Sequence, residues 1–360
     1  MDKKENLLGY SLNTLEDFFE RIEEPKFRAK QLLKWIHQKG VIDFELMTDF
    51  NKLLRERLNG IAIIRPPQIE EVHVSPEGTK KYLIKLDSGS MVEMVRIPEK
   101  KRMTLCISSQ AGCALQCTFC ATGAQGFEKN LTAAEIIGQV WLANFYDSND
   151  PNITNVVFMG MGEPLLNFNP VIESAKIMKD QLAYGLSRKR ITISTSGITP
   201  QIDQLTRSID VSLAISLHAP IDSLRDEIVP INKKYPIKML MSSCKNYLSF
   251  YEGKRSITIE YILIDGINDS PDLARQLTKL LSNISCKINL IPFNPFDGSH
   301  YKRSNKDAIN QFKSILMNKG FITTLRVTRG DAIDGACGQL VGKLTKSIKG
   351  KKLIQHQSIS

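Results

Sequence analysis

From Met103 to about Arg329, apolar runs of strand length alternate with amphipathic helical stretches, and this alternation constrains the fold more than any other feature of the chain. The strand-like runs are Thr104 to Ser108, Asn155 to Met159, Arg190 to Ser194, Val211 to Leu217, Ser256 to Ile264 and Lys287 to Ile291, with a shorter one at Thr324 to Val327. The clearest intervening helix is Ala133 to Phe145, with Ile137, Val140, Trp141 and Phe145 on one stripe. Parallel neighbours need crossover connections, so six βα units predict an α/β fold with a parallel sheet. A complete or partial βα barrel is the economical closure.

Residues 1 to about 60 read as helical, with apolar positions at helix spacing in Leu15, Phe18, Phe19 and Ile22 and again in Leu32, Leu33 and Ile36. Lys26, Arg28, Lys30, Lys34 and Lys39 lie among and just after them, which suits either a solvated helix face or a small RNA-touching domain. Arg65-Pro66-Pro67 is a stiff break. Beyond it, Lys80 to Leu86 and Ser90 to Ile97 flank Asp87-Ser88-Gly89 and predict a β-hairpin. Glu93 falls inside the second run, on the face of Met91, Val95 and Ile97. A carboxylate on an apolar strand face must find a partner or be driven toward its neutral form, unless an edge position leaves it partly in solvent. The expected division is a helical RNA-binding accessory domain over 1–65, a β-hairpin extension over 66–100, the barrel over 101–337 and a basic flexible tail over 338–360.

The formal net charge of +10 biases the chain toward anionic partners, nucleic acid above all. Half of it lies in the tail, where Lys343, Lys346, Lys349, Lys351 and Lys352 occur without an acidic residue. No apolar run approaches the ~18 residues of a membrane span, and the Met1-to-Asn6 start does not suit a secretory signal, so a cytoplasmic setting is expected. Seven cysteines, an odd number, do not resemble the disulfide framework of a small secreted domain.

Three of those cysteines, Cys113, Cys117 and Cys120, share one short loop with C-x3-C-x2-C spacing. Three thiolates are one too few to close a tetrahedral zinc site or to ligate a cluster fully. If all three hold a 4Fe-4S cluster, one iron has no protein ligand and can bind a substrate or cofactor directly. In a βα barrel the chemistry lies at the C-terminal strand ends. Here the first strand leads into the cysteine loop, and the second ends in Gly160-Met161-Gly162-Glu163-Pro164. Its glycines permit close backbone approach, and Glu163 can accept from an ammonium or a ribose hydroxyl. The third ends in Ser194-Thr195-Ser196-Gly197, the fourth in Ser216-Leu217-His218, and the sixth runs into Pro292-Phe293-Asn294-Pro295. Each alone reads as a turn; together they describe a small-molecule site. Cys337 stands in the small-residue loop Asp334-Gly335-Ala336-Cys337-Gly338, which favours an accessible, reactive thiol. Cys106 alternates with Leu105 and Ile107, and reads either as a small core residue or as a thiol facing the barrel interior. Cys244 and Cys286 lie in apolar patterns and are assigned no role.

The cysteine loop followed by Gly160 to Pro164 resembles the radical S-adenosylmethionine superfamily. Three further runs resemble the RNA adenine methyltransferases of the RlmN and Cfr type: Gln125-Gly126-Phe127 with Asn130-Leu131, Ser194 to Gly197, and Arg329-Gly330 through Gly335 to Leu340. The resemblance spans nearly the whole chain and implies a partial (β/α)6 radical-SAM barrel. It implies a 4Fe-4S cluster on Cys113, Cys117 and Cys120, and S-adenosylmethionine contacts at Gly162, Glu163, Ser194, Ser216, Leu217, His218 and Asn294. It further implies that one S-adenosylmethionine methylates Cys337 and a second is cleaved to a 5'-deoxyadenosyl radical. That radical takes hydrogen from the methylated thiol, and the resulting carbon radical adds to adenine. Glu93 matches the family's proton acceptor, and Cys106 matches the thiol that resolves the protein–RNA crosslink by forming a disulfide with Cys337. Ala114-Leu115-Gln116 and Gln125-Gly126-Phe127 look more like the carbon 2 enzymes, which act on 23S rRNA and a tRNA adenosine, than the carbon 8 resistance enzymes. The implied partners are those RNAs and an electron donor such as flavodoxin, with the enzyme a monomer. A non-catalytic RNA-binding protein with a structural zinc needs a fourth ligand, and no His or Cys follows Cys120 nearby. A glycyl-radical activase would leave Cys337 and the basic charge without a purpose.

Overall fold

Strands form where the sequence alternates, and they join in sequence order. The computed structural model describes residues 4–146, 150–326, 329–342 and 351–352. Its main sheet contains β1 (Gln68–Val74), β2 (Lys80–Lys85), β3 (Met91–Glu99), β4 (Arg102–Cys106) and β5 (Asn155–Phe158). It continues through β6 (Ile191–Thr195), β7 (Ser212–Ser216), β8 (Ile257–Leu263), β9 (Cys286–Pro292) and β10 (Thr323–Leu325). From β4 to β10 every pairing is parallel. The crossovers run through Ala133–Phe145, Phe168–Lys179, Thr199–Ser208, Ile237–Phe250, Pro271–Leu281 and Lys306–Asn318, with a shorter helix, Asp222–Ile228, after β7. Among the described residues β10 pairs only with β9, so this is the partial (β/α)6 barrel the sequence predicts, with the short last run as an extra strand.

The two faces of each parallel strand differ in kind. Leu105, Val156, Ile193, Ile215, Ile259 and Leu290 are fully buried against the surrounding helices. Their alternates Thr104, Cys106, Thr192, Thr258, Glu260 and Asn289 line the lumen. The barrel interior therefore mixes these polar side chains with apolar ones such as Val157 and Ile291, while the helix-facing side of the strands is apolar.

The hairpin strands β2 and β3 continue this sheet, because β3 pairs antiparallel with β4 and sets Val95 opposite Cys106. β1 adds a strand that the sequence pattern conceals, since Glu70, Glu71 and His73 interrupt the alternation. A register shift between Ile69 and Glu71 accompanies this, and Glu71 and His73 are buried together with their side chains 3.0 Å apart. Of the tail lysines, Lys343, Lys346 and Lys349 lie outside the described residues, while the backbone of Lys351–Lys352 pairs antiparallel with β1.

The N-terminal helices Leu12–Arg21, Phe27–His37 and Lys52–Ile61 bury Leu15, Phe18, Phe19, Leu32, Leu33 and Ile36, as their spacing predicts. These helices share one apolar core with the barrel. The Trp141 indole donates to the Ile36 carbonyl at 3.0 Å, and the Ser11 amide donates to Glu173 at 3.0 Å. Gly9 lies so close to the Ala133–Phe145 helix that a Cβ there would collide with the backbone of Ala134.

Candidate active site

Local backbone bonds hold the cysteine loop in place. The Cys113 amide donates to the Gly126 carbonyl at 2.8 Å, Cys120 to Cys117 at 3.1 Å, and Ala121 to Gly338 at 2.8 Å. Gly112 has φ +70°, and a Cβ there would strike the Gly126 carbonyl, so glycine is required where the loop leaves the sheet. Cys113, Cys117 and Cys120 line one side of a cavity of about 150 Å³ at the strand ends. Gly162 and Glu163 after β5, Ser194 on β6, and Ser216 and His218 at the end of β7 line the same cavity, as does Cys337. Leu217, between them, is wholly buried, and its side chain does not face this space.

The donor set fits an iron-sulfur cluster. Burial pushes the Cys113 thiol up to about 12 and raises those of Cys117 and Cys120, and neighbouring thiolates add to each shift. A cationic iron centre among them reverses that balance and favours the thiolates. Among the described residues no three His, Cys, Asp or Glu side chains converge on a single ion.

Burial shifts the titrating groups of the cavity wall. Burial lifts the Glu163 carboxyl to about 7, although the amides of Ser196 and Leu165 donate to it at 2.8 and 3.1 Å. His218 is held neutral, its pKa pushed down to about 3 by burial and then by Arg225. Its Nδ1 accepts from the Ile262 amide at 3.1 Å, which leaves Nε2–H as a donor. Gly162 has φ +97°, and a Cβ there would approach the Gln110 side chain to 2.5 Å. The Gln110 amide oxygen in turn accepts from the Glu163 N–H at 2.8 Å.

A second cavity, of about 570 Å³, occupies the lumen and includes Cys106, Asn289, Asn294 and Arg326. Cys337 and Arg326 line both cavities. Burial, and then the proximity of Cys337, push the Cys106 thiol up to about 12. Cys337, Glu260 and Cys106 together hold the Arg326 guanidinium firmly protonated. Burial raises the Glu260 carboxyl, while Arg326 and the Asn289 amide, at 2.7 Å, oppose the shift. Cys106 thus lines the lumen while remaining buried.

Besides Leu217 and Cys106, two further expected site residues lie elsewhere than the cysteine cavity. Asn294 lines the lumen, and its amide donates to the Cys337 carbonyl at 3.2 Å. Glu93 lines neither cavity. It is 1% exposed on an interior strand, which corrects the edge-strand reading, and it finds the partner its apolar face demands in Lys81 at 3.1 Å. The Val341 amide also donates to its carboxylate at 2.9 Å.

Lys81, Arg225, Glu260 and Arg326 escaped the sequence reading. Glu260 carried the signal that singled out Glu93, a lone carboxylate inside an apolar run. Arg225 carried none, because a charged residue on a short amphipathic helix reads as surface.

Residues 5–64 match the family model for the ribosomal RNA large subunit methyltransferase N-terminal domain, RlmN, and residues 107–277 match the radical SAM superfamily. The dual-specificity RNA methyltransferase RlmN of Pseudomonas putida is 56% identical over 346 residues, covering 95% of this chain and 91% of its own. The chain belongs to the RlmN family. The RlmN of Marinobacter nauticus is 54% identical over 99% of this chain and 98% of its own. The solved structure of a radical SAM methyltransferase from Sphaerobacter thermophilus superposes with a TM-score of 0.88 at 38% identity, covering 94% of this chain and all of that one. As an RlmN-family member the protein is a radical SAM RNA methyltransferase using a 4Fe-4S cluster and S-adenosylmethionine. The zinc-protein and activase alternatives fall with that membership.

Proposed function

We propose that the enzyme methylates carbon 2 of adenine in 23S rRNA and in tRNA, with Cys337 as the methyl carrier. The observation that carries this reading is the position of Cys337, common to the cavity of the three loop cysteines and the lumen that holds Cys106. Choice of carbon 2 is supported by the Ala114-Leu115-Gln116 and Gln125-Gly126-Phe127 runs and by the RlmN name its relatives carry.

In this reading Cys113, Cys117 and Cys120 hold the cluster, and Gly162, Glu163, Ser194, Ser216, Leu217, His218 and Asn294 serve S-adenosylmethionine, Leu217 and Asn294 from outside the cysteine cavity. The bound cluster supplies the electron for radical formation from S-adenosylmethionine. Cys337 takes a methyl group from a first S-adenosylmethionine, loses one hydrogen atom from that methyl to the radical made from a second, and joins the ring through its methylene carbon. Glu93 accepts the ring proton as the adduct radical gives up one electron, for which the oxidised cluster would be the acceptor, and this requires the Val341 segment to move off its carboxylate. The Cys106 thiol then loses its proton and attacks the Cys337 sulfur, so that a disulfide forms as the sulfur–carbon bond breaks, and the freed methylene carbon takes up a proton as the methylated base leaves.

Residues 1–65 act as the accessory RNA-binding domain, supported by their family match and the chain's net charge of +10. The reading extends to a monomeric cytoplasmic enzyme drawing electrons from a flavodoxin-type donor. No helix among the described residues is long and apolar enough to cross a membrane.

Nucleoside mass spectrometry tests the assignment. Unmodified RNA treated with the reconstituted enzyme, S-adenosylmethionine and reductant is expected to yield 2-methyladenosine, and 8-methyladenosine would overturn it.

Glu163 gives the binding step a pH signature. Because its folded-state pKa is raised to about 7, the neutral acid favours the ligand-free fold at low pH, and that contribution is lost as pH rises through about 7. An ammonium ligand needs the carboxylate instead. S-adenosylmethionine affinity should therefore rise toward a plateau across that pH while the melting temperature of ligand-free protein falls. Calorimetric titrations and melts over the range check both, and an affinity that stays flat would remove Glu163 as the ammonium acceptor.

A further inference from the structure

Behind the cysteine cavity lies a buried cation that the scheme above does not use. Arg225, on the Asp222–Ile228 helix, is 0% exposed. Its Nε donates to the Leu217 carbonyl at 2.9 Å, and Nη2 donates to those of Ser196 at 2.6 Å and Ser216 at 3.2 Å. Its Nη1 donates to the Asn232 side-chain oxygen at 2.7 Å. One guanidinium thus clamps the ends of β6 and β7, the segments that contribute Ser194, Ser196, Ser216 and His218 to the cavity.

The charge has an incomplete counterpart within the protein. Asp222 and Asp226 reach Arg225 through Asn232, whose amide donates to them at 2.8 and 2.6 Å. The carbonyls that Nη2 holds belong to Ser196 and Ser216, which line the same cavity as Cys117. The same helix grips the cysteine loop, since the Thr118 amide donates to the Ile228 carbonyl at 3.2 Å, and the Phe119 ring meets His218, beyond the end of β7, edge-on at 4.8 Å. A buried guanidinium is costly unless an opposite charge lies within reach. An anionic cluster on the three cysteines supplies one.

We propose that Arg225 is a positioning residue for both cofactors: its fork fixes the strand ends that receive S-adenosylmethionine, and its charge faces the cluster held by Cys113, Cys117 and Cys120. This rests on the assignment of those cysteines to the cluster. The two roles separate by substitution. Arg225→Lys keeps the charge and loses the fork, whereas Arg225→Met loses both.

The test uses the full chain reconstituted with iron and sulfide. It measures S-adenosylmethionine affinity by equilibrium dialysis and cluster midpoint potential by titration followed by electron paramagnetic resonance. In Arg225→Lys the dissociation constant should rise roughly tenfold or more, as for lost charge-assisted hydrogen bonds, with the potential near that of the parent enzyme. In Arg225→Met the potential should move to more negative values, because a nearby cation favours the more negatively charged reduced cluster. Parent-like affinity in Arg225→Lys, or parent-like potential in Arg225→Met, overturns the corresponding role. Cluster loss in Arg225→Met alone supports the charge role, since Arg225→Lys lacks the fork as well. Cluster loss in both variants makes Arg225 a folding residue and overturns the proposal. If the parent protein itself binds no cluster, the underlying functional reading fails instead.

Discussion

Enzyme carrying Cys337→Ala is expected to assemble its cluster and bind S-adenosylmethionine yet leave RNA unmethylated, with activity lower by at least about 10⁴-fold, as when a covalent nucleophile is removed. The side chain is separable from the loop that carries it. Asn294 holds the Cys337 carbonyl rather than its sulfur, and the Ala121 amide holds the carbonyl of Gly338. Only partly buried and beside two cavities, the thiol contributes little packing that alanine would fail to replace. Iron content and visible absorption should match those of the parent, transfer of labelled methyl to RNA should vanish, and intact mass should show no added methylene. Methylation of the same ring carbon by this variant at a comparable rate would eliminate Cys337 as the carrier.

Cys106→Ala should stop the reaction later, leaving a covalent protein–RNA adduct that accumulates toward one per chain while free methylated RNA falls by orders of magnitude. Truncating this small side chain costs about 1 kcal/mol in packing, too little to unfold a domain. Its thiol, pushed up to about 12, rests in the neutral form, where it does not compete with Cys337 for a methyl group. Arg326, which opposes that shift, is the group on hand to favour the thiolate when the disulfide must form. Denaturing gels before and after ribonuclease treatment read the adduct directly. Normal turnover without an adduct would remove Cys106 from the mechanism.

Those elements that announce themselves by period were legible before any coordinates. Ala133–Phe145 starts and stops where its apolar stripe does, because Thr132 and Glu135 close a capping box at its start. The parallel strands were legible because their outward residues are uniformly apolar. β1 was not, since its buried polar residues Glu71 and His73 pair with each other beside a local irregularity at Ile69 and Glu71 that no alternation rule anticipates. At the site, cysteine spacing and strand-end glycines marked the residues that line the cysteine cavity. Lys81 and Arg225 stayed hidden because a charge buried through long-range partners looks, in sequence, like a charge in water.

The two faces divide the labour within each strand. Residues such as Ile193 and Ile259 answer to the stability of the whole molecule, while their immediate neighbours, Ser194 and Glu260, answer to whatever enters the barrel. Substitutions one position apart therefore fall under separate constraints. New substrate preferences can be explored along the inward positions with little loss of fold, much as a hinged tool accepts a new blade in an old handle.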